Sequence, residues 1–178
     1  MPLTGGRTVG GVDVCLRNGT RVLIRAIRPD DKALLARGMA SLSPQSARLR
    51  FLAPKNHLTL AELRYLTEVD HVDHYALVAV LADDPTTMAG VGRWVRDAEH
   101  PDAAEVAVVV GDCLQGQGLG SALGEALADA ARARGVARFT AIMLPENTAA
   151  QRLFARISGR LCTRVSDGTY ELVADLAA

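Results

Sequence analysis

The chain has 178 residues, of which 49% are apolar and 22% are charged, and this composition suits one hydrophobic core of full size. Basic and acidic residues each number 20, so a net charge of zero argues against a nucleic-acid partner. No apolar run reaches the roughly 18 to 20 residues of a membrane span, and the first residues lack the apolar core of a signal peptide. We therefore expect no membrane partner and a cytoplasmic location. Cys15, Cys113 and Cys162 form no CxxC pair, and we expect them to be reduced and buried.

The N-terminal part is predicted to be a tail followed by a hairpin. Residues 1–11 are rich in glycine and threonine and are expected to form a flexible tail, so the folded domain should span residues 12–178. Residues 12–16 and 21–27 are rich in β-branched side chains. They flank Asn18-Gly19, a dipeptide typical of tight β-turns, and this pattern predicts a hairpin.

Three short helices are predicted between residues 30 and 68. Asp30 is placed to cap the first, and Ser43 followed by Pro44 is a typical start for the second. Thr59 and Glu62 have the spacing of a capping box, which predicts the third helix.

The second half of the chain alternates strands with helices. A continuous apolar run indicates a strand buried on both faces, and apolar residues at helical spacing follow it. The predicted elements are strands 75–81, 88–95 and 104–110, a helix from 119, strand 138–143, a helix from about 147, and strands 161–165 and 170–174. This order predicts an α/β fold with a mixed sheet.

Glycines at 116, 118 and 120 occupy the junction between the buried strand and the long helix. The first N–H groups of a helix lack internal partners and lie at the positive end of its dipole, so anions bind there. Removing three side chains lets a phosphate approach these groups, and Ser121 adds a hydroxyl. A tight turn with close helix packing is the purely structural alternative.

Two common phosphate-binding loops are excluded. A Walker A loop needs a lysine directly after its last glycine, but Lys32 and Lys55 are the only lysines and lie far upstream. The dinucleotide pattern G-x-G-x-x-G requires glycine where this chain has Ser121 or Leu123. The ligand is therefore expected to be neither a nucleoside triphosphate nor a dinucleotide.

The segment QGQGLG at 115–120 resembles the Q/R-x-x-G-x-G/A signature of the GNAT superfamily of N-acetyltransferases. The segment NTAAQRLF at 147–154 is similar to the N-x-x-A-x-x-L-Y motif of the same family, and the resemblance extends over about residues 21–174. The stretches LSPQSARLRFL, LTLAELRYLTEVD and AEVAVVVGDCLQGQGLG resemble the catalytic domains of bacterial Pat-type protein lysine acetyltransferases. This resemblance implies a single GNAT-like domain whose mixed, mostly antiparallel sheet has about seven strands flanked by helices, plus an extra N-terminal hairpin.

The resemblance also implies the cosubstrate and the reaction. The protein is expected to transfer the acetyl group of acetyl-CoA to a lysine amine of a protein substrate, by direct attack in a ternary complex. The backbone of Val108 and Val110 would bind the pantetheine, and the glycine loop would bind the pyrophosphate. Asn147 either caps a helix or contacts CoA. The cofactor-binding residues implied are Val108, Val110, Gln115, Gly116, Gln117, Gly118, Leu119, Gly120, Ser121 and Asn147.

Glu105 is the candidate general base. A lysine amine has a pKa of about 10.4, so the reaction needs a proton acceptor. Glu105 is the one charge in an apolar strand, and it aligns with the glutamate to which Pat-type enzymes assign this task. The alternative is a carboxylate at the strand end that is simply solvated or paired with an arginine such as Arg93 or Arg96. Phe154 stands where many GNAT enzymes have tyrosine, and we expect it to pack in the core.

Other functions compatible with the sequence keep the fold but change the acceptor or the outcome. One is acetylation of a small amine or an amino acid, and another is CoA sensing without turnover. The histidines and carboxylates of segment 70–74 have no partner cluster with zinc spacing, so no metal is expected. A monomer and a dimer are both compatible with the sequence.

Overall fold

The computed structural model describes residues 5–8 and 10–176, and within these residues the chain forms nine strands and five α-helices. The strands are β1 (Gly5–Thr8), β2 (Gly11–Cys15), β3 (Arg21–Ala26), β4 (His74–Leu81), β5 (Met88–Arg96), β6 (Ala103–Val110), β7 (Arg138–Met143), β8 (Ser158–Ser166) and β9 (Thr169–Leu176). The helices are α1 (Lys32–Ala40), α2 (Pro44–Phe51), α3 (Leu60–Thr67), α4 (Leu119–Arg132) and α5 (Thr148–Ile157). None of these helices is long and apolar enough to span a bilayer.

All nine strands belong to one sheet with the order β1-β2-β3-β4-β5-β6-β7-β9-β8. Every neighbouring pair is antiparallel except β6 and β7, which are parallel. The predicted α/β fold with a mixed, mostly antiparallel sheet is confirmed. The N-terminal hairpin is continuous with this sheet, because β3 pairs with β4 from Val22–Leu81 to Ala26–Leu77.

The structure differs from the expected N-terminal tail. Instead of a flexible tail over residues 1–11, Gly5–Thr8 forms β1, which pairs with β2. The outer edge of β2 would otherwise leave its backbone N–H and C=O groups unpaired, and Gly10 allows the turn with a φ of +99°. The sheet therefore begins before residue 12, while residues 1–4 and 9 lie outside the described part of the chain.

Helix α4 fills one face of the sheet. Leu119, Leu123 and Leu127 recur at helical spacing, and all three are fully buried in the core beside Trp94. The helix lies close to β5 because Gly92 has no side chain: a Cβ there would stand 2.7 Å from the Cδ1 atom of Leu127.

The first three helices cover part of the opposite face. Ile27 and Leu34 pack there against β4 side chains such as Val78. The local start signals of α2 and α3 are confirmed, since the Ser43 hydroxyl accepts from the N–H of Ser46, and Thr59 and Glu62 form a reciprocal capping box.

The predicted side-chain cap by Asp30 at the start of α1 is wrong, since the N-cap residue is Asp31 and its side chain makes no capping bond to the helix. The carboxylate that turns inward belongs to Asp31 rather than Asp30, because Arg25 donates to both of its oxygens at 2.7 and 2.8 Å. Burial alone would raise the pKa of Asp31. The hydrogen bonds from Arg25 and from the N–H of Arg28 outweigh this effect and hold the pKa below its usual range.

The expectation of buried cysteines is also wrong. Cys15, Cys113 and Cys162 are free thiols and all three are exposed. Cys15 is the last residue of β2, beside the hairpin turn, and Cys113 lies in a short 3₁₀ helix, Asp112–Leu114. Cys162 lies on β8 at the edge of the sheet. The core is instead formed by apolar side chains of α4 and the central strands, and none of the three cysteines belongs to it.

We predict that the core under α4 carries a large share of the stability. Leu127→Ala should lower the free energy of unfolding by about 2 to 5 kcal/mol, because this side chain is 0% exposed and its loss leaves a cavity. Leu60→Ala is the matched control: Leu60 is 60% exposed, so the same truncation should cost well under about 1 kcal/mol. Equal losses in urea unfolding would contradict this account of the core.

Candidate active site

The strands β6 and β7 separate shortly after they meet. They pair at only three positions, of which the last joins Glu105 to Thr140. Beyond this point β6 continues to Val110 with β5 as its one paired neighbour. The separation opens a cleft of about 500 Å³ between the two strands, walled by the glycine loop, α4 and α5. A cleft of this size suits a ligand of cofactor dimensions.

One edge of β6 presents unpaired backbone groups to the cleft. The N–H of Gly111 donates to the carbonyl of Ala89 at 2.9 Å, so the odd-numbered residues direct their backbone groups toward β5. The even-numbered residues Val106, Val108 and Val110 therefore direct theirs toward β7 and the cleft. The N–H of Val106 takes part in the last pairing with β7, and the carbonyl of Val110 accepts from the Gln115 side chain at 3.2 Å. Val108 and the N–H of Val110 thus form the free edge, and these two residues, expected to bind pantetheine, line the cleft.

The glycines of the loop have different structural roles. Gly116 and Gly118 have φ values of +72° and +98°, a left-handed conformation that side chains disfavour, and Gly118 precedes the first turn of α4. Gly120 needs no such conformation, and a Cβ there would stand at an ordinary 3.7 Å from the Cγ2 atom of Val110. The left-handed turn thus explains why residues 116 and 118 are glycines, but it does not explain Gly120. Gly120 and Ser121 line the cleft at the N-terminus of α4, where no side chain caps the helix.

Gln115 braces the loop from inside. Its side-chain amide donates to the Ser46 hydroxyl at 3.1 Å and to the Val110 carbonyl at 3.2 Å, while its N–H donates to the Asp112 carbonyl at 3.3 Å. The N–H of Gln115, expected to bind the ligand, is therefore already occupied. Free N–H groups for an anion are expected only in the residues that follow it.

Asp112 ties helix α2 to the same loop. Its carboxylate accepts from the N–H and hydroxyl of Ser43 at 2.9 and 2.8 Å and from the hydroxyl of Ser46 at 2.6 Å. Burial would raise the pKa of Asp112, but these hydrogen bonds hold it below its usual range. The wall that α2 contributes is thus fixed to the glycine loop.

Four arginines that were not among the predicted site residues also line the cleft: Arg17, Arg50, Arg152 and Arg156. Arg156 is paired with Glu125 at 2.6 Å. Arg17 lies in the turn of the N-terminal hairpin, where its N–H donates to the Gln117 carbonyl at 3.1 Å and its guanidinium to the Gly116 carbonyl at 3.3 Å. No motif contains Arg17. Arg152 falls within the segment 147–154 and Arg50 within the stretch LSPQSARLRFL, so both lie in segments that carry the family resemblance, although neither stretch indicates which of its arginines lines the cleft.

Glu105 lies at the point where the two strands separate. Its neighbour Val106 is buried in the core with α4, so the alternation of the strand turns Glu105 toward the opposite face, on the side of α1 to α3. The side chain is exposed. A carboxylate at the vertex of the cleft can accept a proton from a group that approaches from that face.

The alternative role of Glu105 as an ion-pair partner does not fit the geometry. Arg96 pairs with Asp73 at 2.7 Å. Arg93 donates to the Leu66 carbonyl at 3.1 Å and contacts Nε2 of His74 at 3.0 Å. Among the residues that the structure describes, no basic group lies within ion-pair distance of Glu105.

Two residues of α5 complete the inner wall of the cleft. Asn147 caps the helix, because its Oδ1 atom accepts from the N–H of Ala150 at 3.1 Å, and it also lines the cleft. Phe154 is 4% exposed and packs in the core, as expected. No tyrosine occurs among the described residues that line the cleft.

The segment 70–74 forms a turn that the Asp70 side chain holds together. The Asp70 carboxylate accepts from the N–H groups of Val72, Asp73 and His74 at 2.8 to 2.9 Å. Within residues 5–8 and 10–176, no group of three or more histidine, cysteine, aspartate or glutamate residues could hold a metal ion. Burial, and then the charge of Arg93, lower the pKa of His74 to about 4.

The chain belongs to the GNAT acetyltransferase family, since the profile of the acetyltransferase (GNAT) domain matches residues 21–159. The resemblance inferred from the glycine loop and the 147–154 segment is therefore confirmed.

Similar proteins extend this assignment. Acetyltransferase Pat of Mycolicibacterium smegmatis is 35% identical over 153 residues, which cover 82% of this chain and 43% of Pat. An acetyltransferase of Pseudomonas aeruginosa is 29% identical over 163 residues, covering 91% of this chain and 87% of that protein. The crystal structure of the GNAT domain of S. lividans PAT superposes with a TM-score of 0.82 at 33% identity, covering 92% of this chain and 96% of that one. This chain thus spans less than half of the mycobacterial relative.

We predict that His74 makes stability depend on pH. Its pKa is about 4 in the folded state and about 6.5 in the unfolded state, so below pH 6.5 only the unfolded chain gains a proton. Stability is therefore full above pH 6.5 and falls as the pH drops toward 4. The loss between pH 7 and pH 5 should be about 2 kcal/mol, measured by urea unfolding.

His74→Gln is the matched variant, because an amide oxygen can still accept from Arg93 but does not titrate. This variant should lose less than half as much stability over the same interval. His57→Gln, at an exposed position, is the control and should behave like the wild type. An unchanged pH dependence in His74→Gln would contradict the assignment.

Proposed function

We propose that the protein is an acetyl-CoA-dependent N-acetyltransferase that acetylates a lysine amine of a protein substrate by direct attack in a ternary complex. One observation carries the proposal: in a chain of the GNAT family, β6 and β7 separate directly after Glu105, leaving a free backbone edge between the glycine loop and this carboxylate. We place the activity in the cytoplasm, where exposed free thiols such as Cys15 remain reduced.

The groups that line the cleft fit CoA. The N–H groups at the start of α4 and the left-handed turn before it suit a pyrophosphate, and Arg17 and Arg152 add positive charge to the cleft wall. The free edge formed by Val108 and Val110 can pair with the amide groups of a pantetheine arm, as a neighbouring strand would. The pyrophosphate is thus assigned to residues 116–121, and Gln115 supports the loop.

In the proposed reaction the amine nitrogen attacks the thioester carbonyl carbon, the carbon–sulfur bond breaks, and the amine proton passes to Glu105. The N–H of Val108 lies on the free edge and would polarise the carbonyl oxygen. Phe154 cannot donate a proton to the departing sulfur, so CoA leaves as a thiolate that solvent can protonate. The protein forms no covalent intermediate in this scheme.

The surface beside Glu105 favours a protein acceptor. Thr140 is aligned with Glu105 across the sheet, and Val173 is aligned with Thr140. Val173 and the nearby Ile142 are 37% and 54% exposed, so this half of the face is open to solvent. An open surface that bears exposed apolar side chains suits a macromolecular acceptor better than a small enclosed amine.

A thiol-release assay with acetyl-CoA tests the acceptor. The panel should include lysine-containing proteins, lysine peptides, polyamines and free amino acids. Release that depends on a protein lysine, with the product identified by mass spectrometry, supports the proposal. Release only with small amines would establish the alternative acceptor, whereas CoA binding without release on any acceptor would establish a sensor.

We predict that Glu105→Gln separates turnover from binding. The variant should lose about 100-fold or more in kcat, because a general base contributes on that order, while its affinity for acetyl-CoA stays within about twofold of the wild type. Steady-state kinetics and calorimetry measure the two quantities. Glu99→Gln, an exposed position in the turn before β6, is the control and should keep full activity. A fully active Glu105→Gln would remove Glu105 from the mechanism.

We predict that a negative charge at Gly120 blocks CoA binding without disturbing the fold. Gly120→Asp should weaken acetyl-CoA affinity at least about tenfold more than the isosteric Gly120→Asn, because only the former repels the pyrophosphate. Melting temperatures should stay close to the wild type, since the site accepts a Cβ. Gly118 is less suitable, because its φ of +98° would strain any side chain. Equal affinities in the two variants would exclude an anion at this position.

A further inference from the structure

Two arginines meet on the acceptor side of the sheet. Arg50 of α2 and Arg93 of β5 line a small cavity of about 30 Å³ whose other walls are apolar, with side chains such as Leu35, Met39 and Phe51. Arg50, together with the β6 residues Ala107 and Val109, also lines the large cleft. The small cavity therefore adjoins the cleft along the part of β6 that follows Glu105.

Arg93 is a buried cation without a counter-ion. It is 6% exposed, and it contacts the Leu66 carbonyl and Nε2 of His74. Among the described residues, no carboxylate lies within ion-pair distance of it, although burying an unpaired charge is costly. His74 cannot act as a counter-ion, because an imidazole is either neutral or positively charged, and with a pKa of about 4 it is neutral at neutral pH. The other buried ion in this half of the fold, Asp31, is fully paired with Arg25.

Arg50 has even fewer partners. No described residue accepts a hydrogen bond from its guanidinium, whose central carbon lies 4.9 Å from the centre of the Phe51 ring. Burial lowers the pKa of Arg50. The charge of the Glu105 carboxylate, which lies beyond ion-pair distance, opposes this effect. The ammonium of Lys55, 5.6 Å from the centre of the same ring, is already neutralised by Glu62 at 2.7 Å. Among the described residues, neither Arg50 nor Arg93 has a carboxylate within ion-pair distance, and the two positive charges act on each other.

We propose that Arg50 and Arg93 form a carboxylate-binding subsite beside the reacting centre, filled by a carboxylate on the acyl chain of the CoA thioester or on the amine acceptor. Guanidinium groups bind carboxylates through paired N–H donors, and a water-excluding apolar wall strengthens such contacts. The cavity exceeds the roughly 10 to 15 Å³ that one water needs, so it has room for a group of two or three heavy atoms. This subsite rests on the proposed acetyltransferase function, which it refines.

The first arm of the test compares two thioesters with four-carbon acyl groups. Succinyl-CoA carries a terminal carboxylate and butyryl-CoA does not, so the ratio of their dissociation constants isolates the charge. If the acyl chain brings the carboxylate, the wild type should bind succinyl-CoA about tenfold more tightly. Arg50→Met should lose most of this ratio, and Arg50→Lys should keep part of it. Arg48→Met is the control on the same helix, because its partner Glu146 lies outside the cavity.

The second arm compares acceptors with acetyl-CoA held constant. Two lysine peptides differ only in a glutamate or a glutamine next to the lysine, and free lysine is compared with its decarboxylated analogue cadaverine. If the acceptor brings the carboxylate, the charged member of each pair should have the lower KM, and Arg50→Met should remove the difference. Arg48→Met should again behave like the wild type.

A preference for the carboxylate that depends on Arg50, in either arm, supports the subsite and identifies its source. The subsite is overturned if neither arm shows a preference for the carboxylate, or if the preference persists in Arg50→Met. Failure of the proposed function is a different result: acetyl-CoA then fails to bind, or no acceptor releases CoA. The first arm measures binding alone, so the subsite can be tested even in a protein that binds thioesters without turnover. A protein that binds no thioester overturns both proposals.

Discussion

The end of the backbone pairing between β6 and β7 is the constraint on which the rest of the site depends. After Glu105 the two strands have different neighbours: β6 stays with β5, and β7 stays with β9. The unpaired edge of β6 would be a liability in most sheets, since exposed N–H and C=O groups invite other strands to pair. Here α4 and α5 narrow the access, so the edge is available to a ligand that enters the cleft.

Several contacts keep this opening in place without filling it. On one side the close approach of α4 to β5, permitted by Gly92, anchors the helix whose N-terminus lies at the cleft and to which we assign the pyrophosphate. On the other side Asp112 holds α2 against the loop, and Gln115 joins the loop to β6. The N-terminal hairpin adds Arg17, whose two hydrogen bonds satisfy the carbonyls of Gly116 and Gln117 and use none of the loop N–H groups.

Features with a local physical cause could be predicted from the sequence. Side chains such as Ser43 and Asn147 act on N–H groups three residues away, so spacing alone identified these caps. The positions of the strands, the long helix and the glycine loop followed from hydrophobic period in the same way. Glu105 could be found because a single charge interrupts an apolar strand.

Features that depend on distant pairing could not be predicted. Strand β1 forms because the edge of β2 is free, and Arg17 reaches the loop only because the hairpin joins the sheet. The arginines at 50 and 93 look like any other basic residues in the sequence. Their missing counter-ions emerge only when α2, β5 and β6 are packed together.

The positive charge near Glu105 also bears on the acid–base chemistry of the proposed reaction. A lysine ammonium that approaches Arg50 is repelled, whereas the neutral amine is not, so the arginine and the carboxylate favour the same proton transfer. The same charge stabilises a departing thiolate, which matters because Phe154 offers no proton. An arginine pair with room for one carboxylate can thus serve binding before the reaction and electrostatics during it. These two roles are compatible only if the bound carboxylate leaves part of the positive charge uncompensated. Two guanidinium groups that bind one carboxylate keep one net positive charge.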